Sequence, residues 1–313
     1  MIKNKVFTFL ALAAISLFVL SSCSEDTGTT PNTNGPKPSP ASNLQATSIS
    51  KDTIHLKYDI SPSETNVRFQ DYQLTWKEDA TVDPGGSKIV LRGTNPIIVG
   101  GLVEGKIYLF TLVARYDNDS VSTPITVKWS PASRFTLNNN DDVIKVYETA
   151  SGFGSGLQMF YAQAGAPRVR TVANGADWDL GIRTEAGKIE VGSATKFTYN
   201  YTGTPKATYI FKDKFLANSL NDVFDSRAMN DGTRNNEYTE QIFDIKNDQK
   251  SVVFYVRKIE SGSLYTYAKV MAKYVGGSFL QGSSPNRYIE FEISYQKTAG
   301  VPYAKTSNNN PSN

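Results

Sequence analysis

One cysteine, Cys23, and one histidine, His55, stand in the whole chain, and these two counts remove most of the usual reaction chemistry. A serine or cysteine nucleophile needs a base beside it to take its proton. His55 sits between Ile54 and Leu56 in an alternating run, so its side chain points away from that apolar pair towards solvent. Zinc needs histidine or thiolate ligands that the chain does not supply. Gly152-Phe153-Gly154-Ser155-Gly156 is rich in glycine, but no lysine follows, and its surroundings read as strand rather than as a phosphate loop. The oxygen-rich run Asn138 to Asp142 lacks the EF-hand pattern and reads as a linker.

What remains is a carboxylate pair and three methionines. Asp177 and Asp179 lie two apart on an expected strand, hence on one face and about 7 Å from each other. Two carboxylates are the minimum for glycoside hydrolysis. Trp178 between them also suits stacking on a sugar ring. The plainer alternative places Trp178 in the core and both carboxylates at solvent or a turn. Met159, beside Phe160 and Tyr161, and Met271, in an alternating run, read as core. Met229, in the polar run Ser226 to Gly232, is where an exposed thioether is least expected and therefore a candidate ligand.

The cysteine has a different use. Lys3 and Lys5 precede an apolar run from Val6 to Leu20, interrupted only by Thr8 and Ser16, and Ser21 and Ser22 then lead into Cys23. The run falls short of the ~20 apolar residues of a membrane span. Leu20-Ser21-Ser22-Cys23 resembles the lipobox of bacterial lipoproteins, which implies removal of residues 1–22 and lipidation of Cys23. Ser24-Glu25-Asp26 resembles the acidic surface-export signal of Bacteroidota lipoproteins, which implies the outer membrane and display at the cell surface. Residues 23–39, dominated by Thr, Asn, Gly, Pro and Ser, read as a flexible spacer. Loss of Lys3 and Lys5 lowers the formal charge from +3 to +1, leaving no basic field to attract nucleic acid.

The elements that must position these residues are strands. Over 40–132, Ile54, Leu56 and Tyr58 share one face; so do Tyr72, Leu74 and Trp76, then Tyr108, Phe110, Leu112 and Ala114, then Ile125, Val127 and Trp129. Turn-rich stretches such as 83–86 and 117–120 separate them, and the pattern predicts a β-sandwich. Leu102, Gly105 and Tyr108 resemble the turn and tyrosine corner of a fibronectin type III domain, with Glu104 and Lys106 where that family usually has Pro and Thr. Tyr58 stands where the family has a second-strand Trp. The resemblance implies a module that spaces, docks or binds.

Residues 138–305 are again strand-rich, clearest at 251–256, 265–274 and 288–295, with one or two helical turns expected within Lys212 to Phe224. Residues 306–313 form a polar tail. Asp177 to Ile182, Phe254 to Arg257, Gly262, Tyr267 to Val270, Ile289 to Phe291 and Tyr295-Gln296 resemble, in order, the strands of HmuY-like surface lipoproteins of Bacteroidota, over Val143 to Tyr303. That resemblance implies haem capture, through histidines in its founding members and methionines in relatives. With no histidine in this region, Met229 is the ligand it would use.

The sequence thus predicts an all-β chain, a fibronectin type III sandwich followed by a larger, mainly antiparallel β domain. Each domain is expected to fold on its own, with the polar run 138–142 between them. The expected activity is binding or adhesion at a membrane through the lipid anchor, with haem, a glycan or a surface protein as partner. Trp178 and Met229 are the ligand-contacting residues of that reading, and no catalytic or metal site is expected. The alternatives are a carboxylate-based glycan hydrolase and a structural envelope component.

Overall fold

Side chains that alternate along a strand bury one face and wet the other, and the first part of the chain is built on that rule. The computed structural model describes residues 36–83 and 85–304. The leader expected at 1–22, the lipidation expected at Cys23 and the polar tail expected at 306–313 lie outside the described residues. Seven strands come first: β1 (Ser42–Ser50), β2 (Thr53–Asp59), β3 (Phe69–Glu78), β4 (Gly86–Val90), β5 (Ile97–Val99), β6 (Tyr108–Tyr116) and β7 (Ile125–Trp129). They form two antiparallel sheets, β1-β2-β5 and β4-β3-β6-β7. Ile54, Leu56 and Tyr58 of one sheet meet Tyr72, Leu74, Phe110 and Leu112 of the other in a shared core. The Tyr108 hydroxyl accepts a hydrogen bond from the Val103 amide at 3.0 Å, which closes the tyrosine corner over the turn at Gly105.

Thirteen strands follow: β8 (Ser133–Phe135), β9 (Ile144–Tyr147), β10 (Gly156–Tyr161), β11 (Ala166–Arg170), β12 (Leu180–Arg183), β13 (Glu190–Ser193), β14 (Thr208–Phe211), β15 (Phe215–Ala217), β16 (Tyr238–Thr239), β17 (Ile242–Asp244), β18 (Ser251–Ser261), β19 (Leu264–Ala272) and β20 (Tyr288–Gln296). One sheet runs β11-β10-β12-β13-β17. The larger runs β16-β14-β18-β19-β20-β8, with β15 also on β18 and β9 also on β20. The fold is all-β throughout, as the patterning predicts.

The larger sheet is covered on both faces, and β18 records this directly. Val252, Phe254 and Val256 enter the core shared with the smaller sheet. Val253 and Tyr255 enter a second core on the opposite face, with Phe211, Leu220 and Met229. A strand covered twice loses its polar half, so this one reads as a continuous apolar run.

Two expectations need correction. The run 138–142 is not a boundary: it is the turn between β8 and β9, both of which pair with β20. Its polar residues serve that turn, the Asn138 side chain accepting from the Asn140 amide at 2.8 Å. Within Lys212 to Phe224 the chain makes strand β15 and one 3-10 turn, Leu220–Asp222, capped by Ser219. Phe215 and Leu216 lie in the strand, so the apolar residues do not share a helical face.

The two β regions interlock. Val301 and Tyr303, from the end of the described chain, belong to the core of the first sandwich, and the Tyr303 ring lies 5.3 Å from that of Trp129. Ala46 of β1 and Asp225 exchange two backbone hydrogen bonds, 2.7 and 3.0 Å. Gln296 donates to the Pro131 carbonyl at 3.0 Å. Gly105 has φ +86°, and a Cβ there would stand 2.2 Å from the Thr298 hydroxyl; both its conformation and its neighbour require glycine.

Candidate functional site

A cleft of about 540 Å³ opens where the ends of β10, β11, β18, β19 and β20 come together. Its chemistry begins near the end of β18, where buried Lys258 and exposed Glu260 alternate onto the cleft side. The Lys258 ammonium lies 3.4 Å from Glu260 and 3.6 Å from Asp179. Asp179 is fully buried behind the cleft, its Oδ2 accepting from the Met159 amide at 2.8 Å. Burial pushes the Asp179 carboxyl above its usual range, against the pull of Lys258. Burial also opposes charge on Lys258, but Asp179, Tyr295 and Glu260 together outweigh it and hold the ammonium above its ordinary value.

A hydroxyl chain continues from Glu260. Thr266 donates to Glu260 at 2.8 Å, and Tyr295 donates to Thr266 at 2.9 Å. Burial pushes the Tyr295 phenol up to about 12, so it stays protonated and serves as a donor. Its ring stacks on Phe160 at 5.2 Å and 17°, and Lys297 sits over the Phe160 ring at 5.6 Å.

On the opposite wall, Asp177 accepts from both Arg168 (3.0 Å) and Arg170 (2.9 Å). Arg168 also donates to Gln158 at 2.5 Å and lies flat against Tyr161, 3.5 Å from the ring centre. The result is a polar cleft with aromatic walls in which the carboxylates are already matched to cations. Such an arrangement can hold a polar ligand through fixed donors and ring faces.

The residues singled out from the sequence divide sharply. Asp177 does line the cleft, but Asp179 does not join it on one strand face. Asp177 closes a 3-10 turn over Val172–Asp177, Trp178 caps that turn, and β12 begins only at Leu180. Trp178 offers no face to a ligand. It is completely buried, its Nε1 donates to the Thr171 carbonyl at 2.9 Å, and Tyr199 and Tyr201 pack edge-on against it. Gly156 lies so close beneath it that a Cβ there would fall 1.9 Å from the indole.

Met229 is likewise buried, in the second core of the larger sheet, with its amide donating to the Pro302 carbonyl at 2.9 Å. Met159 and Met271 are buried too. None of the three lines the cleft, and the region has no histidine. The residues present therefore do not fit a haem held by histidine or methionine, the ligands the resemblance implies. Among the described residues no group of three or more His, Cys, Asp and Glu is placed to hold a metal. His55 is half-buried on β2, in a groove shared with Asn221 and Asp222.

Arg168, the Lys258 and Glu260 pair, and Lys297 escape the sequence reading because they come from three places far apart in the chain: β11, β18 and the residue after β20. One signal does exist: Arg257 and Lys258 together follow the apolar run 252–256, which is long enough to be buried, and charges at such a strand end must find partners.

Residues 37–128 match the family described as fibronectin type III domain. A solution structure of the fn3 domain of the human collagen alpha-1(XX) chain is similar over 32% of this chain and 90% of that one, at 20% identity and TM-score 0.28. A crystal structure of the FN3 domain of human collagen XX covers 30% of this chain and 97% of that one, at 18% identity and TM-score 0.24. A computationally redesigned β-sandwich protein covers 30% and 90%, at 15% identity and TM-score 0.26. No curated protein matches the chain.

Proposed function

We propose that this protein is a lipid-anchored binding protein of the outer membrane, displayed at the cell surface, in which a fibronectin type III domain braces a second β domain that captures a glycan. The observation that supports this most is the cleft. It combines flat aromatic groups, Phe160 and Tyr161, with fixed donors and acceptors from Gln158, Arg168 and Thr266. Sugars are held by that mixture of ring faces and directed hydrogen bonds, and it requires no proton transfer and no cofactor. Haem is set aside because the methionines are enclosed.

The fibronectin type III domain contributes through Glu104, in the turn before β6. Its carboxylate accepts from the Ser133 amide and hydroxyl at 2.7 and 3.0 Å and lies 3.7 Å from Lys297 on the cleft wall. Anchoring rests on the lipobox at Cys23. Cys23→Ser is expected to move the protein out of the membrane fraction or leave it unprocessed. An unchanged membrane pool would overturn the anchor, and protection from protease on intact cells would overturn surface display.

Capture is tested with a panel of oligosaccharides against the wild type and Arg168→Ala. Binding by the first and loss in the second is expected. A second reading has one observation in its favour: two carboxylates, Asp177 and Glu260, face the same cleft. If the purified protein cleaves a polysaccharide, and Asp177→Asn and Glu260→Gln each abolish cleavage, that hydrolase reading replaces capture.

A further inference from the structure

The charges around the cleft do not cancel. Asp177 is shared by Arg168 and Arg170. Lys258 serves both Asp179 and Glu260, and Lys297 faces Glu104. Lys206 also lines the cleft, is exposed, and has no side-chain hydrogen bond or ion pair among the described residues; its charge is felt only at a distance, by buried Asp179. Five cations, Arg168, Arg170, Lys206, Lys258 and Lys297, thus surround four carboxylates, Glu104, Asp177, Asp179 and Glu260. One positive charge is left over, on the side chain best placed to move.

From this surplus we infer that the ligand is a sugar carrying a single negative charge, a uronate carboxylate or a sulfate ester, held by Lys206 with its ring against the aromatic wall. The inference rests on the capture reading above and narrows it. A neutral sugar would leave the surplus charge unanswered. A doubly charged group would exceed it and face Asp177 and Glu260 at close range. Lys297 shares the attraction, because its pairing with Glu104 is long at 3.7 Å and the Phe160 ring face holds it over the cleft. The rest of the ligand meets neutral groups suited to hydroxyls, the Gln158 and Gln163 amides and the Thr266 hydroxyl.

Calorimetric titration of the mature protein with three probes tests the inference: an oligogalactose ending in a single galacturonate, the same oligogalactose bearing a single sulfate ester, and the neutral oligogalactose. Either anionic probe is expected to bind about tenfold or more tightly than the neutral one, as a charge-assisted hydrogen bond would give. Its affinity is expected to fall as salt rises. Lys206→Gln should reduce anionic binding about tenfold, removing the preference over the neutral probe, and leave the melting temperature unchanged; the exposed position makes folding insensitive to the change. The tighter of the anionic probes identifies carboxylate or sulfate. If all three bind alike, or Lys206→Gln leaves the preference intact, the charge inference fails while capture stands. If no probe binds, both fail.

Discussion

Glu104 and Lys297, one in the turn before β6 and the other just past β20, face each other at 3.7 Å, so the fibronectin type III domain holds one wall of the neighbouring domain's cleft. The family's usual Pro at this turn has no side-chain acceptor; Glu104 supplies two, both used by Ser133. Glu104→Ala is expected to cost about 1–3 kcal/mol, the range for losing hydrogen bonds to a charged group, in urea denaturation. It should also change affinity for the cleft ligand. Unchanged stability would mean that Ser133 finds other partners and that the bridge is incidental.

Trp178 belongs to folding rather than to recognition. Trp178→Ala is expected to lose about 3–5 kcal/mol, the range for emptying a large aromatic site. Gly156→Ala, which forces a methyl into the indole, should cost about 1–3 kcal/mol through overpacking. Both are read by thermal melts. A Trp178→Ala protein that melts like the wild type yet loses ligand would restore the indole to the binding surface.

Met229→Ala should cost about 2–5 kcal/mol, as a truncated core methionine does, without altering any absorbance seen when haem is titrated into the protein. A shift of a haem spectrum in that variant would return Met229 to the site.

Acid stability should depend on Glu148. Its carboxylate takes a bidentate pair and a backbone bond from Arg287, closest contact 2.7 Å, and Arg287 holds it below its ordinary value of 4.5. A carboxyl lowered in the folded state contributes stability that is complete above the unfolded value and lost as pH falls through the folded one. Glu148→Gln should therefore flatten the loss of stability below about pH 4.5 in melts taken across that range. Asp179 acts in the opposite sense: burial raises its carboxyl, so protonation on acidification relieves a buried charge, and Asp179→Asn should not flatten the acid limb. A steeper acid limb in Glu148→Gln would contradict the assignment.

Much of the first sandwich was legible in the sequence because strands such as β2 and β7 have one wet face. Ile54, Leu56 and Tyr58 are buried while Lys57 and Asp59 are exposed, and alternation reports that contrast directly. The interlock was not legible, since Val301 and Tyr303 sit in a short polar context that gives no sign of a distant partner. The turn at Asp177 defeated the strand reading for a similar reason: alternation of charge and aromatic over three residues is equally compatible with a 3-10 turn. The cleft was hidden most completely, as it exists only once five strands are in register.

The fragment 36–130 is expected to melt below the intact protein, or without cooperativity, because it lacks the side chains that finish its core. Val301 and Tyr303 supply them. A fragment as stable as the whole chain in urea would make those contacts dispensable.

That placement of Val301 and Tyr303 also sets an order of events. A chain that emerges from its N-terminal end makes all seven strands of the first sandwich well before the residues that seal it. Until residue 303 arrives, Trp129 lacks its contact with the Tyr303 ring, and the core of the early domain lacks two of its side chains. A polypeptide broken off anywhere in the second domain thus leaves both halves marked by exposed apolar surface, so completeness of the chain is written into the folding of its first domain.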